Sequence, residues 1–406
     1  MQLRALFVTT AIAAACAAAD DEQTSLAATS SEGGATTSTS SPASDDDGTS
    51  VASDHGSTAS SEGADATSVA SDDDASSSDG GVETGEPFDD SPLSLAAAAL
   101  APDAFGTFTM GGTPQISMQP GASIMEYVSR ALWDPQHARI RFVGVSHVGG
   151  WAQYAEYELP SDAWAQELVP DGRDDPRHGY SGTACDAASG TTFYHEGNGG
   201  DRLWTRSASG EWIERTNPQP GWANVEWHPD LGVLVIGQVW GIRTFDPASE
   251  TFDVLHDNPA GTEMADSAGA SAWSGKDRSV YVGNYGDDGA IWRIDADAIA
   301  TRIANPPVPV AVHDAWNNAA MLIGAASPAH RLLAIRQNAE LYEYDEVADA
   351  WSGALDGFTG QPEFVEFIGG ATNKQWIAVS LPELGVIAFM RQVGDEMDAT
   401  MMLWKH

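Results

Sequence analysis

Four histidines stand in short polar segments between apolar runs of the chain. They are His147, His178, His195 and His313. Side chains of matching chemistry lie beside them or in comparable segments: Tyr180, Glu196, Asp266, Asn284, Tyr285, Asp287 and Asp314. Imidazole and carboxylate are the usual nitrogen and oxygen ligands of transition metals, so a convergence of these groups could hold a divalent metal. The same groups, together with aromatic rings, could instead form a polar pocket for a sugar.

Sequence patterns of several well-known catalytic sites are absent. The chain has no Gly-x-Ser-x-Gly, His-Glu-x-x-His, Gly-x-Gly-x-x-Gly or phosphate-loop pattern. No catalytic residue is therefore assigned from the sequence. The net charge of −40 argues against nucleic acid as a partner, because binding to phosphate backbones needs Lys and Arg.

The acidic residues and the tryptophans are unevenly distributed. Residues 1–100 hold 18 of the 59 acidic residues and one base, whereas all fourteen tryptophans lie beyond residue 132. From about residue 20 to 90 the chain is mainly Ser, Thr, Ala, Gly and Asp, which cannot offset the loss of chain entropy by burial. We therefore predict a disordered acidic linker over residues 16–100, a lead-in strand within 101–123 and a folded domain over 124–406.

The first sixteen residues, MQLRALFVTTAIAAAC, have the features of an export signal. One Arg precedes an apolar run of eleven residues, which suits a signal peptide and is too short to span a bilayer. The small residues before Cys16 resemble the bacterial lipoprotein signal, which implies a signal peptide over 1–15 and a lipid on Cys16. We expect an outer-membrane or cell-surface lipoprotein that contacts the membrane only through this lipid. The alternative is cleavage after Ala15 or Ala19, giving a periplasmic or secreted protein.

A repeat of about 47 residues runs through the region 124–406. Its most regular copies contain two aromatic residues separated by six others: YELPSDAW (157–164), FDPASETF (245–252) and YDEVADAW (344–351). Looser copies begin at Trp204, Trp292 and Phe389. Each copy is preceded by an apolar run, which is RIRFVG (139–144) in the first and QWIAV (375–379) in the last, and by a turn-forming segment. Each unit is therefore predicted to be four short strands, named a to d, with the apolar run as strand b and the first aromatic on strand c.

Six units of this kind predict an all-β fold. A four-stranded unit cannot cover both faces of its own sheet, and packing the units around an axis solves this. We therefore predict a six-bladed β-propeller of four-stranded blades. The paired aromatics, with Asp after the first in two copies, resemble the kelch repeat, and the central domain of galactose-oxidase-like proteins shares the pattern. The strand-like segment 105–118 could close the ring against the last blade, or contribute to a seventh blade as the alternative.

The predicted register places all candidate residues at one end of the propeller. The d–a and b–c connections share one face, named here the d–a face, and the a–b turns lie on the opposite a–b face. All eleven candidates fall in d–a or b–c segments. We expect a monomeric, non-catalytic module that binds a protein or glycan there and needs no cofactor. The alternative is a carbohydrate-active enzyme or metal-dependent oxidoreductase that uses the His, Asp and Glu side chains and a divalent metal.

Overall fold

The computed structural model describes most of the region beyond residue 89. The described residues are 90–114, 124–125, 128, 130–144, 152–170, 181–196, 202–216, 221, 223–258, 269–283, 290–308, 320–324, 332–336, 339–353, 358, 360–370, 376–394 and 396–405. The predicted signal peptide, Cys16 and the acidic linker up to residue 89 lie outside them. Among these residues, no helix is both long and apolar enough to cross a membrane.

Strands dominate the described residues, and they form six antiparallel sheets. The chain begins with helix α1 (Pro92–Ala99) and strand β1 (Phe105–Thr109). Blade one contains β2 (Leu132–Asp134), β3 (Arg139–Gly144), β4 (Gln153–Glu158) and β5 (Ala163–Leu168). Blade two contains β6 (Thr183–Asp186), β7 (Thr191–His195), β8 (Arg202–Arg206) and β9 (Trp212–Thr216). Blade three contains β10 (Asn224–His228), β11 (Val233–Gln238), β12 (Gly241–Asp246) and β13 (Thr251–Asp257).

The remaining three blades follow the same order along the chain. Blade four contains β14 (Ser271–Ser274), β15 (Ser279–Gly283), β16 (Ile291–Ile294) and β17 (Ala300–Arg302). Blade five contains β18 (Ala320–Ile323), β19 (Leu333–Arg336), β20 (Leu341–Asp345) and β21 (Ala350–Trp351). Helix α2 (Pro362–Gly369) leads to β22 (Trp376–Leu381), a 3₁₀ turn (Pro382–Leu384), β23 (Val386–Val393), β24 (Glu396–Met397) and β25 (Thr400–Lys405) of blade six.

Strand a of each blade is its innermost strand, and in blade six this strand is β22. Each inner strand contacts the inner strand of the next blade, from β2 through β6, β10, β14 and β18 to β22, which returns to β2. The contacts therefore form a closed ring of six blades, which confirms the predicted propeller. Hydrophobic clusters fill all six junctions between neighbouring blades, so most of the tryptophans pack between blades, as predicted.

The N-terminal strand β1 is the outermost strand of the last blade. It pairs antiparallel with β25, from Phe105 opposite Trp404 to Thr109 opposite Thr400. Blade six therefore has the order β22-β23-β25-β1, with β24 paired to β23. The segment 105–109 closes the ring and does not begin a seventh blade, so the seven-bladed alternative is wrong.

The register predicted for the last blade is wrong by one strand. QWIAV was expected on strand b, but it lies in the inner strand β22, and Phe389 lies on strand b rather than on strand c. The reason is that β1 supplies strand d, so the final segment of the chain is strand c. Because the N-terminal strand closes the ring, each C-terminal segment occupies a strand of blade six one place closer to the axis than predicted.

The repeated aromatic pairs span the c–d turns. The two rings are cross-strand partners, with centroids 5.3, 4.8 and 5.3 Å apart in Tyr157–Trp164, Phe245–Phe252 and Tyr344–Trp351. Between them, the carboxylates of Asp246 and Asp345 accept the backbone N–H groups of Ala248 and Val347 at 2.8 and 2.9 Å. The six residues between the paired aromatics therefore indicate a c–d turn that brings two large rings into contact.

The sequence did not predict the helix α1, which falls inside the segment assigned to the linker. Its Leu93 and Ala97 are buried in the junction of blades six and one, beside Leu384 of the 3₁₀ turn. The following strand β1 begins beside Trp404, near the end of β25 that lies on the a–b face. The N-terminal segment thus joins the propeller on the a–b face, where the Lys405 ammonium also donates to the Leu384 carbonyl at 2.8 Å.

Candidate functional site

The described residues enclose a cavity of about 560 Å³ on the propeller axis. Its walls are the inner strands, and its mouth is formed by a–b turns, including Pro135, Pro229, Lys276 and Glu383. The cavity therefore opens on the a–b face, opposite the predicted ligand face. A volume of this size is typical of pockets that hold small molecules.

Arg130 and Glu226 close the inner end of the cavity. The Arg130 Nη1 donates to the Glu226 carboxylate and to the carbonyl of Ser271 at 2.9 Å. Its Nη2 donates to the carbonyls of Thr183 and Val225 at 2.5 and 2.6 Å. The three carbonyl acceptors lie near the d–a ends of inner strands and Glu226 lies at the centre of β10, so the guanidinium joins blades two, three and four.

Five side chains at one register position of the inner strands form a ring around the cavity, named here the tryptophan ring. Each is the next-to-last residue of its inner strand and lines the cavity: Trp133, Cys185, Trp227, Trp273 and Ser380. The fifth blade has Leu322 at this register position. Three of the six inner strands therefore carry an indole at the same level of the channel.

The indoles are held by different neighbours. Trp133 donates its Nε1–H to the Glu383 carboxylate at 2.6 Å across the junction of blades one and six. Trp227 stacks on Phe193 with ring centroids 5.3 Å apart. Trp273 packs edge to face on the buried His228 at 5.1 Å. Because each ring is fixed by packing or a hydrogen bond, the tryptophan ring is preformed. Trp227 is only 8% exposed, so Trp133 and Trp273 supply most of its accessible indole surface.

The sequence contains a signal for this ring at its a–b turns. Trp-x-Pro or Trp-x-Gly recurs where each of three inner strands meets its turn: LWDP (132–135), EWHP (226–229) and AWSG (272–275). The second copy reads ACDA (184–187) and places Cys185 at the tryptophan position. Aligning the a–b turns rather than the c–d turns would have predicted an aromatic ring on the a–b face.

Cys185 lies on the inner strand β6 and is a free thiol. Burial raises the pKa of the Cys185 thiol to about 12, with the Asp134 and Asp186 carboxylates adding to the effect and the nearby Arg141 guanidinium opposing it. The thiol is therefore protonated at neutral pH. Because the thiolate is the reactive form, this position has the character of a small apolar residue.

A buried ion network supports the wall beside Cys185. Arg141 and Asp134 are both fully buried and 2.6 Å apart, and Arg141 also pairs with Glu156 at 2.9 Å. The Arg141 Nη1 donates to the carbonyl of Gly190 at 2.8 Å, which ties blade one to the a–b turn of blade two. The network thereby fixes the mouth of the cavity between these blades.

The structure describes two of the predicted site residues. His195 and Glu196 end strand b of blade two near the d–a face, and they are 1% and 0% exposed. The Glu196 carboxylate accepts the Nε1–H of Trp204 at 2.9 Å and lies 3.9 Å from Arg202. The other predicted residues lie outside the described residues: His147, His178, Tyr180, Asp266, Asn284, Tyr285, Asp287, His313 and Asp314. The ligand site on the d–a face thus stays a prediction.

A divalent metal belongs only to the enzymatic alternative, which needs His, Asp and Glu side chains to converge. Among the described residues, no group of three or more His, Cys, Asp or Glu side chains is arranged to hold a metal ion. Three of the four candidate histidines lie outside those residues. The metal-dependent alternative therefore also stays a prediction.

The chain matches no protein-family model and no curated protein. The likeness to kelch repeats and to the galactose-oxidase central domain remains one of repeat pattern.

Proposed function

We propose that this protein is an exported, lipid-anchored module that binds a saccharide in the cavity on the a–b face, without catalysis. The observation that supports this most strongly is the tryptophan ring, which places three indoles around one cavity with a closed polar floor. Indoles offer broad apolar surfaces, and the polar groups among them can fix the orientation of a ligand. A saccharide presents both an apolar C–H face and hydroxyl groups.

The polar groups of the cavity suit hydroxyl groups as partners. The Ser380 Oγ is buried, whereas Glu383 is exposed at the mouth of the cavity and can be reached by a ligand. Glu383 accepts one hydrogen bond from Trp133, and an ionised carboxylate has about four acceptor positions. The cavity therefore combines apolar walls with unused hydrogen-bonding capacity.

The path of the chain is compatible with an anchored module. The described N-terminal segment, helix α1 and the start of strand β1, joins the propeller on the a–b face, which is also the face of the cavity mouth. A flexible linker of roughly 70 residues reaches on the order of 45 Å, and charge repulsion extends it further. Such a linker leaves room for a soluble saccharide to reach the mouth.

Screening the full chain on a saccharide array, followed by calorimetry with the saccharides that bind, tests whether the cavity binds a saccharide. Trp273→Ala should lower the affinity about tenfold or more, whereas Trp240→Ala should leave it nearly unchanged. Trp240 is the matched control, since it is 43% exposed in the β11–β12 turn at the opposite end of the blades. Thermal unfolding of both variants controls for folding, and Trp273→Phe keeps a ring at this position.

Two results would overturn the proposal. One is a well-folded protein that binds no saccharide on the array. The other is binding that is lost in Trp240→Ala and retained in Trp273→Ala, which would place the site on the d–a face as the sequence predicted.

A further inference from the structure

We infer that the saccharide carries free amino groups, so that the ligand is an amino sugar in its cationic form rather than an acidic glycan. This inference rests on the proposed function, because it assigns the chemical class of the ligand in the same cavity. The evidence for it is which charged groups of the cavity lining already have hydrogen-bond partners and which have acceptor positions left for a ligand.

The guanidinium at the cavity floor is not available to an anionic ligand. Arg130 Nη1 and Nη2 carry four N–H groups, and the structure gives each of these N–H groups an acceptor: Glu226, Ser271, Thr183 and Val225. The remaining Nε is buried and out of reach of a ligand. Arg130 therefore acts as a structural cross-link, and its charge is already paired with Glu226.

Unused acceptor capacity exceeds donor capacity in the described lining. The carboxylates are Asp186, Glu226 and Glu383, and the only other described cation in the lining is Lys276, which is exposed. Asp186 accepts from the Ala188 N–H and the Ser189 hydroxyl at 3.0 and 2.5 Å, which uses two of its acceptor positions. Because Arg130 and Glu226 pair with each other, the remaining charged groups of the described lining are the Asp186 and Glu383 carboxylates and the Lys276 ammonium. The ligand must therefore supply hydrogen-bond donors, and a positive charge is favoured.

The tryptophan ring favours the same class of ligand. A cation over an indole face gains electrostatic energy from the ring quadrupole, and more of it in a partly desolvated site. Trp133 is the clearest candidate, because its Nε1–H already binds Glu383, so that an ammonium near this pair meets a ring and a carboxylate together. A uronate at the same place would meet the carboxylate with a like charge.

The net negative charge of residues 101–406 also favours a cationic ligand over an anionic one. Residues 101–406 hold 41 acidic and 18 basic residues. A surface with this excess of negative charge repels polyanions and attracts cations, and the effect falls as salt increases. Acidic glycans are therefore disfavoured before they reach the cavity.

Calorimetry on the full chain with three matched tetrasaccharides tests the inference. The probes are a glucosamine tetramer, its N-acetylated form and a galacturonate tetramer. The glucosamine tetramer should bind about tenfold more tightly than the acetylated form at low salt, and the difference should shrink at high salt. The galacturonate tetramer should not bind measurably.

A charge-removing variant identifies the group responsible. Glu383→Gln keeps an acceptor for Trp133 and removes the negative charge, so the affinity ratio of the amino form to the acetylated form should fall from about tenfold to about one. Glu396→Gln is the matched control, since Glu396 is exposed in the same blade and lies outside the described lining.

The outcomes separate this inference from the proposed function. Equal binding of the amino and acetylated forms, or tightest binding of the uronate, would overturn the amino-sugar assignment and leave a saccharide site in place. No binding of any of the three, with none on the array, would overturn the proposed function itself. An unchanged preference in Glu383→Gln would overturn the role of this carboxylate.

Discussion

Arg130 and Glu226 form an ion pair across the axis of the propeller, from the segment that precedes blade one to the inner strand of blade three. Both side chains are largely buried, at 10% and 8% exposure. Arg130 also pairs through its backbone with Ala378 of blade six. One residue thus contacts the inner strands of blades two, three, four and six.

We expect Arg130→Met to destabilise the protein by about 3–5 kcal/mol, because it leaves the Glu226 carboxylate buried without its counter-charge. The double variant Arg130→Met/Glu226→Met should recover much of this loss. Urea unfolding of the two single variants and the double variant gives the coupling energy. If the losses of the single variants simply add in the double variant, the pair is not coupled and this account is wrong.

Strand β1 should be needed for stability even though it lies at the start of the domain. Removing residues 1–89 should leave the thermal midpoint nearly unchanged, whereas removing residues 1–110 should lower it strongly or prevent folding. The longer deletion takes away the outer strand of blade six and the buried Leu93. Differential scanning calorimetry compares the two truncations, and equal midpoints would contradict the closure role.

A point substitution separates the contribution of side chains from that of the strand. Phe105 lies within 4.9, 5.2 and 6.1 Å of the rings of Phe364, Phe358 and Trp404. Phe105→Ala should therefore cost about 3 kcal/mol in the free energy of unfolding. Leu95→Ala is the control, because Leu95 is 58% exposed on α1 and its loss should have little effect.

The repeated part of the molecule was predicted well from the sequence, because each blade is built from the same short-range pattern of strands and turns. The c–d turns with paired aromatics, the apolar b strands and the blade count follow from short-range patterns. Ring closure by Phe105–Thr109 depends on a partner at the far end of the chain, so the sequence offered it only as one of two possibilities. The cavity was missed because Trp133, Trp227 and Trp273 recur at the a–b turns, whereas the prediction was built on the aromatic pairs of the c–d turns.

His228 should make stability dependent on pH in the mildly acidic range. Burial lowers the pKa of the His228 imidazole below its usual value of about 6.5, so the folded state disfavours the protonated ring. Its contribution to stability is therefore fully present above about pH 6.5 and is lost as the pH falls through the lower folded-state pKa. Chemical denaturation between about pH 7 and pH 5 should show a steeper loss of stability in the native protein than in His228→Gln. Parallel profiles would show that His228 does not carry this dependence.

Lipid attachment at Cys16 is part of the proposed function, and labelling of the protein with a lipid analogue measures it directly. Metabolic labelling with a palmitate analogue should label the native protein and Cys185→Ser, and it should fail in Cys16→Ser. The two cysteines of the chain thus provide the test and its matched control. Label retained in Cys16→Ser, or absent from the native protein, would show that the signal resemblance was misleading.

The position of β1 also sets an order of assembly. Its partner β25 follows all the other described strands in the sequence, so the two come together only after every intervening blade has been made. Strand β1 must therefore wait unpaired until β25 has been synthesised, and contacts of such large sequence separation slow folding. We therefore expect blade six to be the final unit to form, and a chain that stops before Thr400 should expose an unpaired strand edge that invites association with other copies.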